Sequence, residues 1–103
     1  MTLEQLRLFV QVVQAGSFTG AAERLGTQKS HVSRVVAQLE TALGAKLLER
    51  TTRSLSLTEA GREVHERALA ILGAVEDTEQ AVQDMHGEPR GLLDLGVGRV
   101  GTA

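Results

Sequence analysis

The chain has 103 residues, 42% of them apolar, and a formal net charge of -2, which fits one domain with a modest core. It contains no cysteine, and this excludes a disulfide framework, thiolate metal ligands and a cysteine nucleophile. It also lacks an apolar run of membrane-spanning length and a signal-peptide pattern, so we expect a soluble protein in the cytoplasm that does not enter a membrane.

The first predicted helix begins after Thr2, which can form a capping box with Gln5, and it ends at Gly16. Its apolar residues recur at helical spacing and predict one stripe that packs against the next two helices. The residues of this stripe are Leu3, Leu6, Phe9, Val10 and Val13.

A second helix is predicted after Ser17, a suitable N-cap, and Gly26 is expected to end it in the left-handed conformation. Its inward residues are predicted to be Phe18, Ala21, Ala22 and Leu25. A third helix follows the glycine turn, with a core face of Val32, Val36, Leu39 and Leu43. Two helices joined by a short turn are typical of a helix-turn-helix.

The opposite face of the third helix is polar and basic. Ser30, Arg34, Ala37 and Thr41 lie on it, and Lys29, His31 and Ser33 flank its first two turns. Small residues there would let the helix approach a DNA duplex closely, with the cations near the end that contacts base edges in the major groove. The alternative is that this face is merely solvated, as in any amphipathic helix.

Charge is divided unevenly along the chain. Residues 1–57 hold seven Lys and Arg against four Asp and Glu, a net charge of +3, whereas the remainder holds four against nine, a net charge of -5. Because clustered Lys and Arg neutralise phosphates, this asymmetry favours a nucleic-acid surface in the first segment.

A two-stranded wing is predicted after Gly44, because Leu47 and Leu48, then Leu55 and Leu57, flank a polar turn. Arg50 and Arg53 would lie at its tip and reach phosphate or the minor groove. The alternative for this segment alone is an exposed loop with solubilising arginines.

A long helix is predicted from an N-cap at Thr58 to about His86. Its apolar stripe has alternating spacings of four and three residues, typical of a coiled coil, so we expect a homodimer that forms through this helix. The alternative is that the helix packs on its own domain. The candidate dimerisation residues are Val64, Ala68, Ile71, Leu72, Val75, Val82 and Met85.

Three other patterns do not indicate chemistry. Residues 96–101 fit the dinucleotide-binding G-x-G-x-x-G, but only two residues follow, too few for the helix that would hold a pyrophosphate. His31, His65 and His86 are scattered without partners at ligand spacing, which predicts no metal site. The serines lack a catalytic constellation, so we predict neither an enzyme nor a cofactor.

Nine short motifs follow one another in unbroken order along the chain: Gly16-Ser17-Phe18-Thr19, Ala21-Ala22, Leu25-Gly26, Val32-Ser33-Arg34, Leu39-Glu40, Leu43-Gly44, Leu47-Leu48, Glu49-Arg50-Thr51 and Leu57-Thr58-Glu59-Ala60-Gly61. As a set they resemble the N-terminal part of a LysR-type transcriptional regulator. The resemblance implies a mainly α fold, namely a winged helix-turn-helix (a three-helix core plus a two-stranded wing) followed by a long dimerisation linker helix. It implies DNA contacts at Lys29, Ser30, Ser33, Arg34 and Arg53.

The same resemblance implies three segments: a DNA-binding domain at 1–57, a linker helix at 58–86, and at 87–103 a hinge and first strand of an absent effector domain. We therefore expect a fragment or truncated regulator, with a small-molecule effector only where the C-terminal domain is present. Dimer and tetramer both stay open for a full-length form.

The leading hypothesis is sequence-specific binding of double-stranded DNA as a dimer that recognises an inverted repeat. The alternative is a helical oligomerisation module that pairs with full-length regulators without reading DNA. The complete set of candidate DNA-binding residues is Ser17, Gln28, Lys29, Ser30, His31, Ser33, Arg34, Arg50 and Arg53.

Overall fold

The computed structural model describes residues 1–51 and 54–87. Its elements in chain order are α1 (Leu3–Ala15), α2 (Phe18–Leu25), α3 (Lys29–Leu43), β1 (Leu48–Arg50), β2 (Leu55–Leu57) and α4 (Glu59–Gly87). This order confirms the predicted class: a three-helix core, a two-stranded wing and a long helix. The chain divides into two compact units, residues 1–72 and residues 73–103. Within the described residues, no helix has the length and apolar character that crossing a membrane requires.

The helix ends in the first unit follow local sequence rules. The Gln5 N–H donates to Thr2 Oγ1 at 3.1 Å and the Thr2 N–H donates to Gln5 Oε1 at 3.0 Å, which is the predicted capping box. Ser17 Oγ accepts from the Gly20 N–H at 2.9 Å, so the predicted cap of α2 is also present. Gly16 and Gly26 end α1 and α2 with φ of 77° and 67°, the left-handed conformation expected there.

The core lies where α1, α2 and α3 pack together, and it extends to the base of the wing and to α4. Its largest fully buried side chains are Phe9, Leu39, Leu47, Val12 and Val32. Each of the three helices contacts the other two, so each is held on more than one side.

Three residues predicted to lie in the core are exposed: Leu3, Leu25 and Leu43. Leu3 is the first residue of α1, and Leu25 and Leu43 are the last residues of α2 and α3. Side chains at helix ends extend past the neighbouring helices that cover the central turns, and helical spacing alone does not reveal this.

The buried faces of α1 and α3 are wider than a single stripe. Leu8, Val12 and Val35 are buried although the predicted stripes omit them. The Phe9 ring of α1 also packs edge-to-face against the His65 ring of α4, with 6.4 Å between their centroids, so α1 has a neighbour that is distant in sequence.

The wing is an antiparallel pair in which Leu48 faces Leu57 and Arg50 faces Leu55. At its tip the Thr51 N–H donates to the Ser54 carbonyl oxygen at 2.9 Å, and the Ser54 N–H donates to Thr51 Oγ1 at 3.0 Å. These bonds close the strand pair, which confirms the predicted wing.

The start of α4 is fixed to the segment that precedes the wing. Thr58 Oγ1 accepts from the Gly61 N–H at 2.9 Å, as expected of the predicted N-cap, and donates to the Lys46 carbonyl oxygen at 2.6 Å. Gly61 is buried, and a Cβ atom there would lie 2.0 Å from the Leu47 carbonyl oxygen. Only glycine permits this close approach of α4 to the wing base.

The first turns of α4 pack on the core of their own unit, which corrects part of the predicted dimer surface. Ala68 is 0% exposed and belongs to the core, so its assignment as a dimerisation residue is wrong. Val64 and Leu72 are half-buried against the same core. For these three residues the alternative prediction, that α4 packs on its own domain, is therefore confirmed, because they contact the core of the same chain.

Candidate nucleic-acid interface

The exposed face of α3 presents the side chains predicted to contact DNA. Lys29, Ser30 and Arg34 are exposed, and so are the small residues Ala37 and Thr41. The face is therefore open and basic toward its N-terminal end. An α-helix with small exposed residues can enter the major groove of B-DNA.

The N-terminus of α3 has no capping side chain. Its N-cap residue Gln28 is extended, with φ of -99° and ψ of 148°, and makes no side-chain hydrogen bond to the first turn. The N–H groups of a first helical turn have no intrahelical acceptor and can donate to an anion such as phosphate. Gln28 and Lys29 thus lie at the positive end of the α3 helix dipole, which attracts a negatively charged group such as a phosphate.

One edge of the α3 face carries a paired arginine and histidine. The Arg34 guanidinium Nη2 donates to His31 Nδ1 at 3.2 Å, one helical turn away. A guanidinium has no acceptor, so His31 Nδ1 must be the unprotonated nitrogen of the ring in this pair. His31 is half-buried, whereas Arg34 is exposed.

The other edge carries Arg50 from the wing. Its guanidinium lies over the Phe18 ring of α2, with 4.2 Å from Cζ to the ring centroid, and its Nη2 donates to Ser33 Oγ at 3.5 Å. A guanidinium over an aromatic face is stabilised by the ring quadrupole. Arg50 is therefore fixed beside α3 at the end of β1, which corrects its predicted position at the wing tip.

The carboxylate of Glu40 attaches α3 to the wing. It accepts from the N–H groups of Leu47 at 2.8 Å and Leu48 at 3.3 Å, and its Oε1 lies 4.0 Å from Lys46 Nζ. The Glu40 side chain is only 17% exposed, so the bonds are shielded from water. Glu40 was missed as a positioning residue, because its partners lie seven and eight residues away and beyond the end of the helix.

Ser17, Lys29 and Arg50 line one shallow, open depression, together with the wing residues Thr51 and Ser54. The start of α2, the start of α3 and the wing thus meet at one surface, which brings three of the candidate DNA-binding residues together. Ser17 Oγ is already used to cap α2. The prediction for Arg53 lies outside the described residues.

The remaining candidate dimerisation residues differ in exposure. Ile71 belongs to the first unit and is exposed. In the second unit Val75 is half-buried, Val82 is 46% exposed and Met85 is 59% exposed. None of these four belongs to the buried core cluster of the described residues, and Leu69 of the same helix, which is not among the candidates, is also exposed.

The model for bacterial regulatory helix-turn-helix proteins of the lysR family matches residues 3–62, more than half of the chain. The chain belongs to this LysR family. The match covers α1–α3, the wing and the start of α4, and it therefore includes α2, α3 and the wing, which form the surface described above.

Two relatives of this LysR-family chain are named as regulators. It is 50% identical over 91 residues to an HTH-type transcriptional regulator of Xanthomonas campestris, a match that covers 88% of this chain and 26% of that protein. It is 48% identical over 92 residues to the HTH-type transcriptional regulator CrgA of Neisseria meningitidis, covering 89% of this chain and 31% of that protein. The chain thus spans less than a third of the length of these two relatives.

A solved structure shares the fold of this LysR-family chain. The crystal structure of the BenM DNA-binding domain with catB site 1 DNA superposes with a TM-score of 0.80 at 34% identity, covering 84% of this chain and 94% of that one. This agreement confirms the winged helix-turn-helix with its following helix.

Proposed function

We propose that this chain is the DNA-binding part of a LysR-type transcriptional regulator and binds double-stranded DNA in a sequence-specific manner. The observation that carries the proposal is the exposed α3 face, where Lys29, Ser30 and Arg34 lie beside an Arg50 that Phe18 and Ser33 hold in place. The fold shared with a DNA-binding domain solved with DNA supports it. It also favours DNA binding over the alternative of a module that only pairs with other regulators.

The chemistry of the side chains suggests a role for each part of the surface. Arg34 would read base edges in the major groove, where a guanidinium pairs best with guanine. The side chains of Lys29 and Arg50 and the main-chain N–H groups of Lys29 and Ser30 would contact phosphates and fix the register. Arg53 would extend these contacts to phosphate or the minor groove from the wing.

The same proposal includes a homodimer formed through α4. Ile71, Val75, Val82 and Met85 are the candidate dimerisation residues that lie outside the core cluster, and a second copy packed against them would remove them from water. A two-fold dimer places two α3 helices on one face of the duplex, so the operator would be an inverted repeat with half-sites about one helical turn apart.

The proposed segments are those predicted from the sequence: 1–57 for DNA binding, 58–86 for dimerisation, and 87–103 for a hinge and the first strand of an effector domain. Residues 88–103 of the last segment lie outside the described residues. In this proposal the protein binds DNA and catalyses no reaction. Because its target is chromosomal DNA, the proposed location is the bacterial cytoplasm. A response to a small molecule belongs, in this proposal, only to a longer protein that includes an effector domain.

An unbiased selection from random duplexes, read by sequencing, tests the proposal. We expect enrichment of an inverted repeat, and an affinity for it that falls with salt at a slope of about -0.9 per neutralised phosphate. The Arg34→Ala variant should lose at least about tenfold in affinity for the selected duplex.

Arg7→Ala is the matched control, because Arg7 is exposed on α1, which supplies none of the candidate contacts. It removes the same charge and should change the affinity little. Failure to enrich any sequence, or equal losses from both variants, would contradict sequence-specific recognition through α3.

A further inference from the structure

The two arginines beside the α3 face are held by different neighbours. Arg50 is held by an aromatic ring and a hydroxyl that belong to other elements. Arg34 is held by His31, a residue of its own helix, through the 3.2 Å bond from Nη2 to Nδ1. An exposed arginine otherwise samples many rotamers, so a fixed acceptor one turn away restricts the directions in which its guanidinium can point.

His31 can act as such an acceptor because it is less exposed than Arg34 and lies at the edge of the α3 face. It is half-buried and lines a small depression with Glu4 and Leu8 of α1, Leu25 of α2 and Thr27 of the turn. The imidazole therefore lies against the body of the domain rather than on the open face of α3. Its Nδ1 lone pair points to Arg34, whose side chain is exposed.

Building on the proposed function, we propose that His31 is a positioning residue for Arg34: it orients the guanidinium toward the base edge and thereby sharpens the base preference at one position of each half-site. The sequence suggested that His31 contacts DNA itself. In the structure its Nδ1 instead accepts the hydrogen bond from Arg34. One amino group of the guanidinium is used by His31, and the rest of its donors stay free for the base.

The orientation should alter specificity more than stability. The bond is exposed and joins residues three apart in one helix, so its loss leaves the core unchanged. Its benefit appears on binding, because an Arg34 that is already oriented loses less side-chain entropy when it pairs with a base. One hydrogen bond of this kind corresponds to about threefold to tenfold in affinity.

The experiment is a double-mutant cycle on the duplex selected by the wild-type chain. Affinities are measured for His31→Leu, His31→Asn, Arg34→Ala and the double variant His31→Leu with Arg34→Ala, against the selected duplex and against duplexes changed at single positions. Leucine removes the acceptor at similar size, whereas the Asn side-chain oxygen can occupy the position of His Nδ1 and accept the same bond. Helicity and thermal melting of each variant verify that it is folded.

We expect His31→Leu to lower affinity about threefold to tenfold and to flatten the preference at one base position. His31→Asn should retain the wild-type affinity and base preference. In the double variant, His31→Leu should not lower the affinity below that of Arg34→Ala alone. The inference is overturned if His31→Leu binds like the wild type, if His31→Asn is as weak as His31→Leu, or if the loss persists without Arg34, since His31 would then act on DNA directly.

The same measurements separate this inference from the proposed function. If the wild-type chain binds and Arg34→Ala weakens it, but the two residues show no coupling, only the role of His31 fails. If no duplex is bound, or Arg34→Ala has no effect, recognition through α3 fails and the role of His31 fails with it.

Discussion

Residues 1–72 and residues 73–87 stabilise their structure in different ways. Every buried apolar side chain in the described residues lies between Leu6 and Ala68, so the first unit has a core of its own. In the described part of the second unit no apolar side chain is buried, and Val82 and Met85 are 46% and 59% exposed. The first unit thus has a buried core, whereas the described part of the second unit has none and exposes apolar side chains.

Two glycines inside α4, Gly61 and Gly73, give the largest expected difference in stability between these regions. Gly61→Ala should lower the free energy of unfolding by about 3 kcal/mol, because the new Cβ would meet the Leu47 carbonyl oxygen and force α4 away from the wing. Gly73→Ala meets no atom within 4 Å and should raise the stability by up to about 1 kcal/mol through helix propensity.

Urea unfolding followed by circular dichroism, at one fixed protein concentration, measures both variants. If both substitutions changed the free energy of unfolding equally, the close approach of Gly61 to Leu47, which Gly73 lacks, would be contradicted.

A charged residue in the apolar surface of the second unit tests the need for a partner. Val82→Glu should weaken dimerisation at least about tenfold, since a carboxylate would have to be buried between two helices. Gln83→Glu is the control, because it places the same charge on an exposed polar position next in sequence. Sedimentation equilibrium measures the dissociation constant.

Unfolding of the first unit should be unchanged by Val82→Glu when monomers are compared. A dimer that tolerates both glutamates equally would show that Val82 is not at the dimer contact.

The smallest expected difference concerns two threonines. Thr2→Ala removes the capping box of α1 and should cost about 1 kcal/mol of stability. Thr78 is inside α4 and donates to the Ala74 carbonyl oxygen of its own helix at 2.8 Å, so Thr78→Ala should have a slightly stabilising effect. Thermal melting of the two variants compares them directly, and a loss at Thr78 as large as at Thr2 would contradict this assignment.

Local chemistry explains what the sequence could predict. Thr2, Ser17 and Thr58 cap helices, and Gly16 and Gly26 end them, because each such interaction involves residues only a few positions apart. The exposed polar face of α3 followed from helical spacing for the same reason. These features need no knowledge of the rest of the fold.

Contacts between distant residues explain what the sequence could not predict. Arg50 returns to Phe18, 32 positions earlier, and Gly61 closes on Leu47; neither partner is visible in a periodic pattern. The apolar stripe of α4 could pack either on its own domain or on a second copy of the chain. The structure shows that Ala68 of this stripe packs in the core of its own domain. Periodicity identifies an apolar face, and only the tertiary structure shows what covers it.

The attachment of the wing through Glu40 has a consequence for how this surface can vary. The carboxylate holds main-chain N–H groups at Leu47 and Leu48, so the attachment does not depend on side chains beyond them in the wing. Substitutions beyond Leu48 therefore leave this attachment in place, whereas the contacts of Arg50 with Ser33 and Phe18 depend on the arginine side chain. The base of the wing is in this sense anchored by its main chain, and an exchange of wing residues that keeps Arg50 should preserve both attachments.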